Sequence, residues 1–159
     1  MTKQNAIIKK PDLTFIGITC RTSNAPDKAP LDIAALWNKF NADNIYEVIP
    51  DKASYQIYVL YCEYEKDHTK PYTVLIGCLV DKENSSIDGL TTITLPASCY
   101  EVFEAEGEFP HSLINTWNKI WHAPIKRTYT GDFEEYDPQF FLKSNHKVPI
   151  YIAIDDDRN

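Results

Sequence analysis

The stretch Asp132-Phe133-Glu134-Glu135-Tyr136-Asp137, set between Gly131 and Pro138, places carboxylates beside aromatic rings. In an extended strand, alternation puts Glu134 and Tyr136 on one face and Phe133 and Glu135 on the other. A carboxylate flanked by phenols has two uses. It can hold a flat or cationic organic molecule through charge and ring faces, or it can exchange protons with a bound electrophile. A closing strand follows at 148–154 (VPIYIAI), in which parity separates Ile150, Ile152 and Ile154 from Tyr151. The two C-terminal strands can aim Glu134 and Tyr151 at the same side of a sheet. The plainer alternative is a solvated glutamate on an edge strand.

Other chemistry is sparse. The histidines at 68, 111, 122 and 146 are scattered, without HxH, HExxH or facial-triad spacing, so neither a metal site nor a cofactor is expected. The cysteines at 20, 62, 78 and 99 form no CxxC pair and read as free thiols in apolar runs. Ser98 and Ser112 lack a nucleophile-elbow context, and five glycines leave little scope for a phosphate loop. Glu101, Glu104, Glu106 and Glu108 read as a solvated face. No catalytic residue is assigned, and binding without turnover is the preferred reading.

The 159 residues suit one domain or two small fused halves, and 43% hydrophobic residues suffice for a core. The net charge of −7 argues against direct nucleic-acid binding, which needs clustered Lys and Arg. Ten tyrosines and three tryptophans are the unusual feature, because such rings suit ligand sites and interfaces alike. The start of the chain lacks a signal-peptide run, and no stretch reaches the ~18 apolar residues of a membrane span. The expectation is a soluble cytoplasmic protein, monomeric or weakly dimeric.

These residues need a frame. Residues 1–12 read as a polar lead and 13–20 (LTFIGITC) as a strand. A helix follows, with Ile33, Leu36, Trp37 and Phe40 at helical spacing. Residues 45–49 suggest a short strand. The runs 55–64 (YQIYVLYCEY) and 72–80 (YTVLIGCLV) read as paired strands, the first with two apolar or aromatic faces. After the hydrophilic joint 81–89 the layout repeats: a short strand at 90–95, a full one at 98–105, then a helix with Leu113, Ile114, Trp117, Ile120 and Trp121 in its stripe. Trp37 and Trp117 lie within LWNKF and TWNKI. The chain thus reads as a single α+β domain over 1–159 built of two β-α-β-β pseudo-repeats, about 13–80 and 90–154. Helices would cover one face of an antiparallel sheet. A groove at the pseudo-twofold axis would be filled by side chains opposite the helix layer. By parity Tyr58 and Tyr151 are its first candidates, with Tyr100 or Phe103 behind them. Trp37 reads first as core packing and is carried, with Trp117, as a ligand candidate.

LWNKF, YQIYVLY, YEVFEAEG followed by TWNKIW, and DFEEYD with VPIYIAI resemble, in this order, the GyrI-like small-molecule-binding domains. These include the effector-binding domains of AraC-type and MerR-type multidrug regulators. The resemblance runs from about Leu13 to Ile154. It implies a duplicated β-α-β-β fold around a central pocket of aromatics and an acidic residue, binding amphipathic or cationic compounds. It implies Glu134 as the family's glutamate within FExY, Tyr151 as the last-strand tyrosine and Tyr100 as the aromatic before the second helix. The chain departs from the family's pattern in 122–130 (HAPIKRTYT) and in Asp155. With a first strand expected near residue 13, no helix-turn-helix is expected, so output would pass through a separate regulator protein. Some stand-alone relatives are similar to hydrolases of cyclopropane-bearing toxins, which keeps an enzyme as the alternative. A protein-interaction module with tyrosines on a flat face is the other.

Overall fold

The computed structural model describes residues 5–81, 87–138 and 147–155. His146, Asp156, Asp157 and the middle of the hydrophilic joint lie outside them. The elements are β1 (Ala6–Lys10), β2 (Leu13–Thr22), α1 (Lys28–Ala42), α2 (Ile45–Val48), β3 (Ile57–Cys62), β4 (Tyr72–Val80), β5 (Thr91–Leu95), β6 (Ser98–Glu106), α3 (His111–His122), β7 (Asp132–Tyr136) and β8 (Lys147–Ile154). One antiparallel sheet takes the order β1-β6-β8-β7-β3-β4-β2-β5. The expected pair of β-α-β-β units is therefore present: β2-α1-β3-β4 and β6-α3-β7-β8 meet where β3 pairs with β7.

Two local expectations are corrected. The polar lead contains a strand, β1, which pairs with β6 of the second unit, while β5 pairs with β2 of the first. The two lead strands are thus exchanged between the units, and neither is stabilised by its neighbours in sequence. The run 45–49 is helical at Ile45–Val48 rather than extended. The left-handed Asn44 (φ 49°) turns the chain into it, and Ile45 is buried against the main core.

Leu36 and Phe40 of α1, Ile45 of α2 and Ile120 of α3 pack on one face of the sheet with Ile16, Val59, Ile76, Ile150 and Ile152. Ile114, expected in the α3 stripe, is 54% exposed. On the opposite face Phe15, Tyr58, Leu60, Leu75, Tyr100 and Phe133 form a second core, and no helix among the described residues contributes to it. The sheet closes this face by curling. A flat sheet would hold β2 and β7 three strand spacings apart, about 14 Å. The Phe15 and Phe133 rings nevertheless lie 5.7 Å apart, and Leu95 of the edge strand β5 packs against Gly131.

Gly17 and Gly77 face each other in the β2–β4 ladder. A Cβ on Gly77 would fall 2.7 Å from the Gly17 Cα and closer still to the Ile16 carbonyl oxygen. Backbone cannot yield there as a side chain can. Gly77→Ala is expected to cost about 3 kcal/mol, the upper end of ordinary single substitutions, read as a fall in the urea midpoint.

Candidate binding site

Where β3 and β7 pair, Val59 lies opposite Glu134. Two residues further along each strand, on the same face, stand Tyr61 and Tyr136. They hold corresponding places on either side of the junction between the units, and both turn toward the one carboxylate. Tyr61 Oη donates to Glu134 Oε2 at 2.7 Å, and Tyr136 Oη donates to Oε1 at 2.6 Å. From α3 above, the Trp117 indole N–H donates to Oε2 at 2.7 Å.

The helices supply the remaining walls. Trp117 meets the Tyr61 ring edge-on at 5.1 Å, and Trp37 of α1 meets Tyr136 edge-on at 5.4 Å. Each tryptophan therefore reaches across the junction to the tyrosine of the other unit. Tyr72 of β4 extends the aromatic wall, its ring 6.0 Å from that of Tyr61. Glu134 is 1% exposed. Burial pushes its carboxyl above the usual carboxylate range, and the hydrogen bonds from Tyr136, Tyr61 and Trp117 pull part of the way back. Tyr61 and Tyr136 are held well above the usual phenol range by burial and then by the neighbouring carboxylate, so they remain donors.

A second buried carboxylate sits two residues before Glu134 on the same face. Asp132 Oδ2 accepts from Tyr64 Oη at 2.6 Å and from Arg127 Nη2 at 2.8 Å, and Oδ1 accepts from the Ala153 N–H at 2.8 Å. The Arg127 side chain is only 5% exposed. Its Nε and Nη1 are buried without acceptors; the Tyr129 ring lies 4.4 Å from Cζ. Asp132 is thus matched by a cation of its own chain. Among the described residues Glu134 has no such partner.

Of the expected site residues, the structure brings Glu134, Tyr136, Trp117 and Trp37 together. Phe103 lies opposite Ile150 on the same side of the sheet and packs at the margin of the helix-covered core. Tyr58, Tyr100 and Tyr151 do not join them. Phe133 pairs with Tyr151 and Glu134 with Ile150, so Tyr151 points to the opposite face and stacks on Phe133 at 4.6 Å. Tyr58 and Tyr100 belong to that second core as well. Tyr58 Oη donates to Glu135 at 3.0 Å, and burial raises the Tyr100 hydroxyl to about 12. The expected aim of Glu134 and Tyr151 at one side is therefore corrected by the register, and the glutamate lies beneath the helices rather than opposite them. Tyr61 went unnamed as a candidate, although alternation within YVLYC pairs it with Val59. The Arg127–Asp132–Tyr64 cluster also went unnamed; its only sequence signal is a basic residue in an otherwise irregular loop.

Cys62 and Cys78 are buried free thiols, both raised to about 12 by burial, while Cys20 and Cys99 are half-buried. No group of three or more His, Cys, Asp or Glu suited to a metal occurs among the described residues, and no helix among them is long and apolar enough to cross a membrane. Tyr58, Tyr61, Tyr72, Tyr100 and Tyr136 are all buried, unlike the flat exposed cluster that an interaction module would present.

Comparison with known proteins places the fold. The YobU protein of Bacillus subtilis (strain 168) is 32% identical over 145 residues, covering 88% of this chain and 91% of its own. The integron cassette protein VCH_CASS2 from Vibrio cholerae superposes with a TM-score of 0.72 at 28% identity, covering 96% of this chain and 97% of its own. SAV2435, solved bound to tetraphenylphosphonium, shares the fold with a TM-score of 0.79 at 20% identity, covering 96% of this chain and 94% of its own. The profile of Cass2, the integron-associated effector binding protein, matches residues 6–154, and the chain belongs to that family.

Proposed function

We propose that the protein binds lipophilic organic cations in the cage formed by Glu134, Tyr61, Tyr136, Trp117 and Trp37. The observation that carries this reading is the contrast between two carboxylates on one face. Asp132 has Arg127 against it, whereas Glu134 is as deeply buried and has only neutral donors. A buried charge without a counter-charge is costly, and a ligand cation supplies what the chain does not.

The cage also suggests the ligand's chemistry. A carboxylate offers about four lone-pair sites, and three donors already engage this one. What remains for a ligand is mainly the negative field between ring faces. That suits a delocalised or fully substituted cation, such as a phosphonium or quaternary ammonium, better than a primary amine that must be hydrogen-bonded. Aromatic faces contribute roughly 0.5–2 kcal/mol each when desolvated. Tetraphenylphosphonium, bound by the fold relative SAV2435, is the natural probe. The output is proposed to pass to a separate regulatory partner.

Titration calorimetry with tetraphenylphosphonium and the neutral triphenylphosphine oxide tests this reading. The cation is expected to bind with one site per chain and the oxide far more weakly. Equal affinities would overturn the role of charge. Because the Glu134 pKa is raised and a bound cation favours the ionised form, affinity is expected to rise with pH from the usual carboxylate range upward, then level off. A flat profile across that window would show that Glu134 does not titrate with binding.

A further inference from the structure

Glu134, Tyr61 and Tyr136 are all buried, so a ligand needs a way in. The described residues form surface depressions, two of which bear on this. One, of about 520 Å³, runs along the β2–β5 edge between Asp12, Thr14, Leu79 and Thr94. The other, of about 420 Å³, lies among three separate pieces of chain. These are Ser23, Asn24 and Ala25 after β2, His68, Thr69 and Pro71 between β3 and β4, and Trp121 near the end of α3.

The second depression touches the cage along two paths. Asn24 Oδ1 accepts from Tyr72 Oη at 2.6 Å, and the Tyr72 ring meets Tyr61, which holds Glu134. On the other side the Trp121 ring lies 6.3 Å from that of Trp117, which also holds Glu134. The His68 imidazole stacks on Trp121 at 6.0 Å and 11°, and on Tyr129 at 6.4 Å and 23°. Asn24 Nδ2 donates to the His68 carbonyl at 2.8 Å, tying two sides of the rim together.

We propose that this depression is the outer subsite and mouth of the Glu134 cage, holding an aryl group of the ligand on Trp121 while Asn24 and His68 tie the rim. This rests on the cation-binding reading above. The His68 imidazole lies parallel to the Trp121 indole but displaced from it, held by the 3.2 Å contact of its Nδ1 with Tyr129 Oη. Trp121 therefore lines the depression and can take an aryl group while His68 stays in the rim. Burial and nearby Arg127 hold the imidazole below the usual histidine range, so at neutral pH it presents a ring rather than a charge to an incoming cation. The wall best able to yield is α3, which carries both Trp117 and Trp121. It fully buries only Ile120, whereas α1 buries Ala29, Leu36 and Phe40. A modest outward shift of α3 would part both tryptophans from the sheet together.

The test is stopped-flow binding of tetraphenylphosphonium to the full chain. Thr69→Trp and Ala25→Trp place bulk in the mouth from exposed positions. Each is expected to slow association at least tenfold with Tm unchanged. Asn24→Ala unties the rim and is expected to speed association several-fold; because it also removes the acceptor of the Tyr72 hydroxyl, the association rate alone is read from it. Trp121→Ala is expected to weaken tetraphenylphosphonium at least fivefold but tetraethylammonium, which has no aryl group, less than twofold. Association unchanged in both tryptophan variants, while Glu134→Gln still weakens equilibrium binding, would place the route elsewhere and leave the cage standing. Equal losses of both cations in Trp121→Ala would remove the subsite. Failure of the wild type to bind tetraphenylphosphonium would overturn the cage and its mouth together.

Discussion

Glu134→Gln is expected to weaken tetraphenylphosphonium binding by about 1–3 kcal/mol, or roughly 5- to 150-fold, while leaving the fold as stable as before or more so. The substitution keeps the shape. A glutamine with its carbonyl at the Oε2 position still accepts from Tyr61 and from the Trp117 indole, which can only donate. Its amide then faces Tyr136, whose hydroxyl can rotate to accept. The hydrogen-bond network therefore survives and only the charge is lost.

Stability should follow from the raised pKa. An unfolded glutamate loses its proton in the usual carboxylate range, while the folded one keeps it to higher pH. Across that window the native state holds more protons, so its stability falls as pH rises through the folded pKa. The glutamine variant has no such slope at this position, and its advantage should grow with pH until Glu134 is fully ionised. Calorimetry against the cation and the neutral oxide, with urea unfolding at several pH values, reads both effects. Parallel losses for the two ligands would mean that the charge is not what the ligand meets.

The sequence carried much of this site, and the part it withheld has a physical cause. Glu134 and Tyr136 share a strand, so alternation alone joins them. Tyr58 and Tyr61 lie on opposite faces of β3, and both faces are apolar or aromatic. Nothing within that strand says which face meets Glu134. The answer is the register with β7, in which Val59 sits opposite Glu134, and this pairing lies far away in sequence. Tyr151 shows the same limit. A register shifted by one residue would have joined it to Glu134, but Phe133 pairs with it instead. The repeated units were legible because each carries its own helix stripe and strand runs. The strand β1 was not, because its partner belongs to the other unit.

Asp132→Ala is expected to be the most damaging single change to the fold, costing about 3–5 kcal/mol, which is a large share of the ~5–15 kcal/mol that holds a domain together. Asp132 is fully buried, and its loss would leave the enclosed Arg127 charge unpaired and the Tyr64 hydroxyl and Ala153 N–H without their acceptor. The damage reaches beyond the side chains. Arg127 lies in the segment that bonds to β8, through Thr128 N–H to the Ala153 carbonyl at 3.1 Å and Asp155 N–H to the Lys126 carbonyl at 2.8 Å. Arg127→Met should cost a similar amount, because it strands the Asp132 carboxylate instead. The double variant Arg127→Met/Asp132→Asn removes both charges and keeps an acceptor for Tyr64 or Ala153. It should therefore be more stable than Asp132→Ala or Arg127→Met alone. Guanidinium unfolding of these variants together with the single Asp132→Asn, which closes the cycle with Arg127→Met and the double variant, measures this coupling. A cost below about 1 kcal/mol for Asp132→Ala, or additive losses in the double variant, would show that the pair does not act as a unit. The same proteins separate the two carboxylates by role. With ligand binding measured below the unfolding transition, the double variant should retain wild-type affinity for tetraphenylphosphonium, whereas Glu134→Gln loses affinity and keeps its stability. Asp132 already has its cation within the chain, and Glu134 receives its own from the ligand.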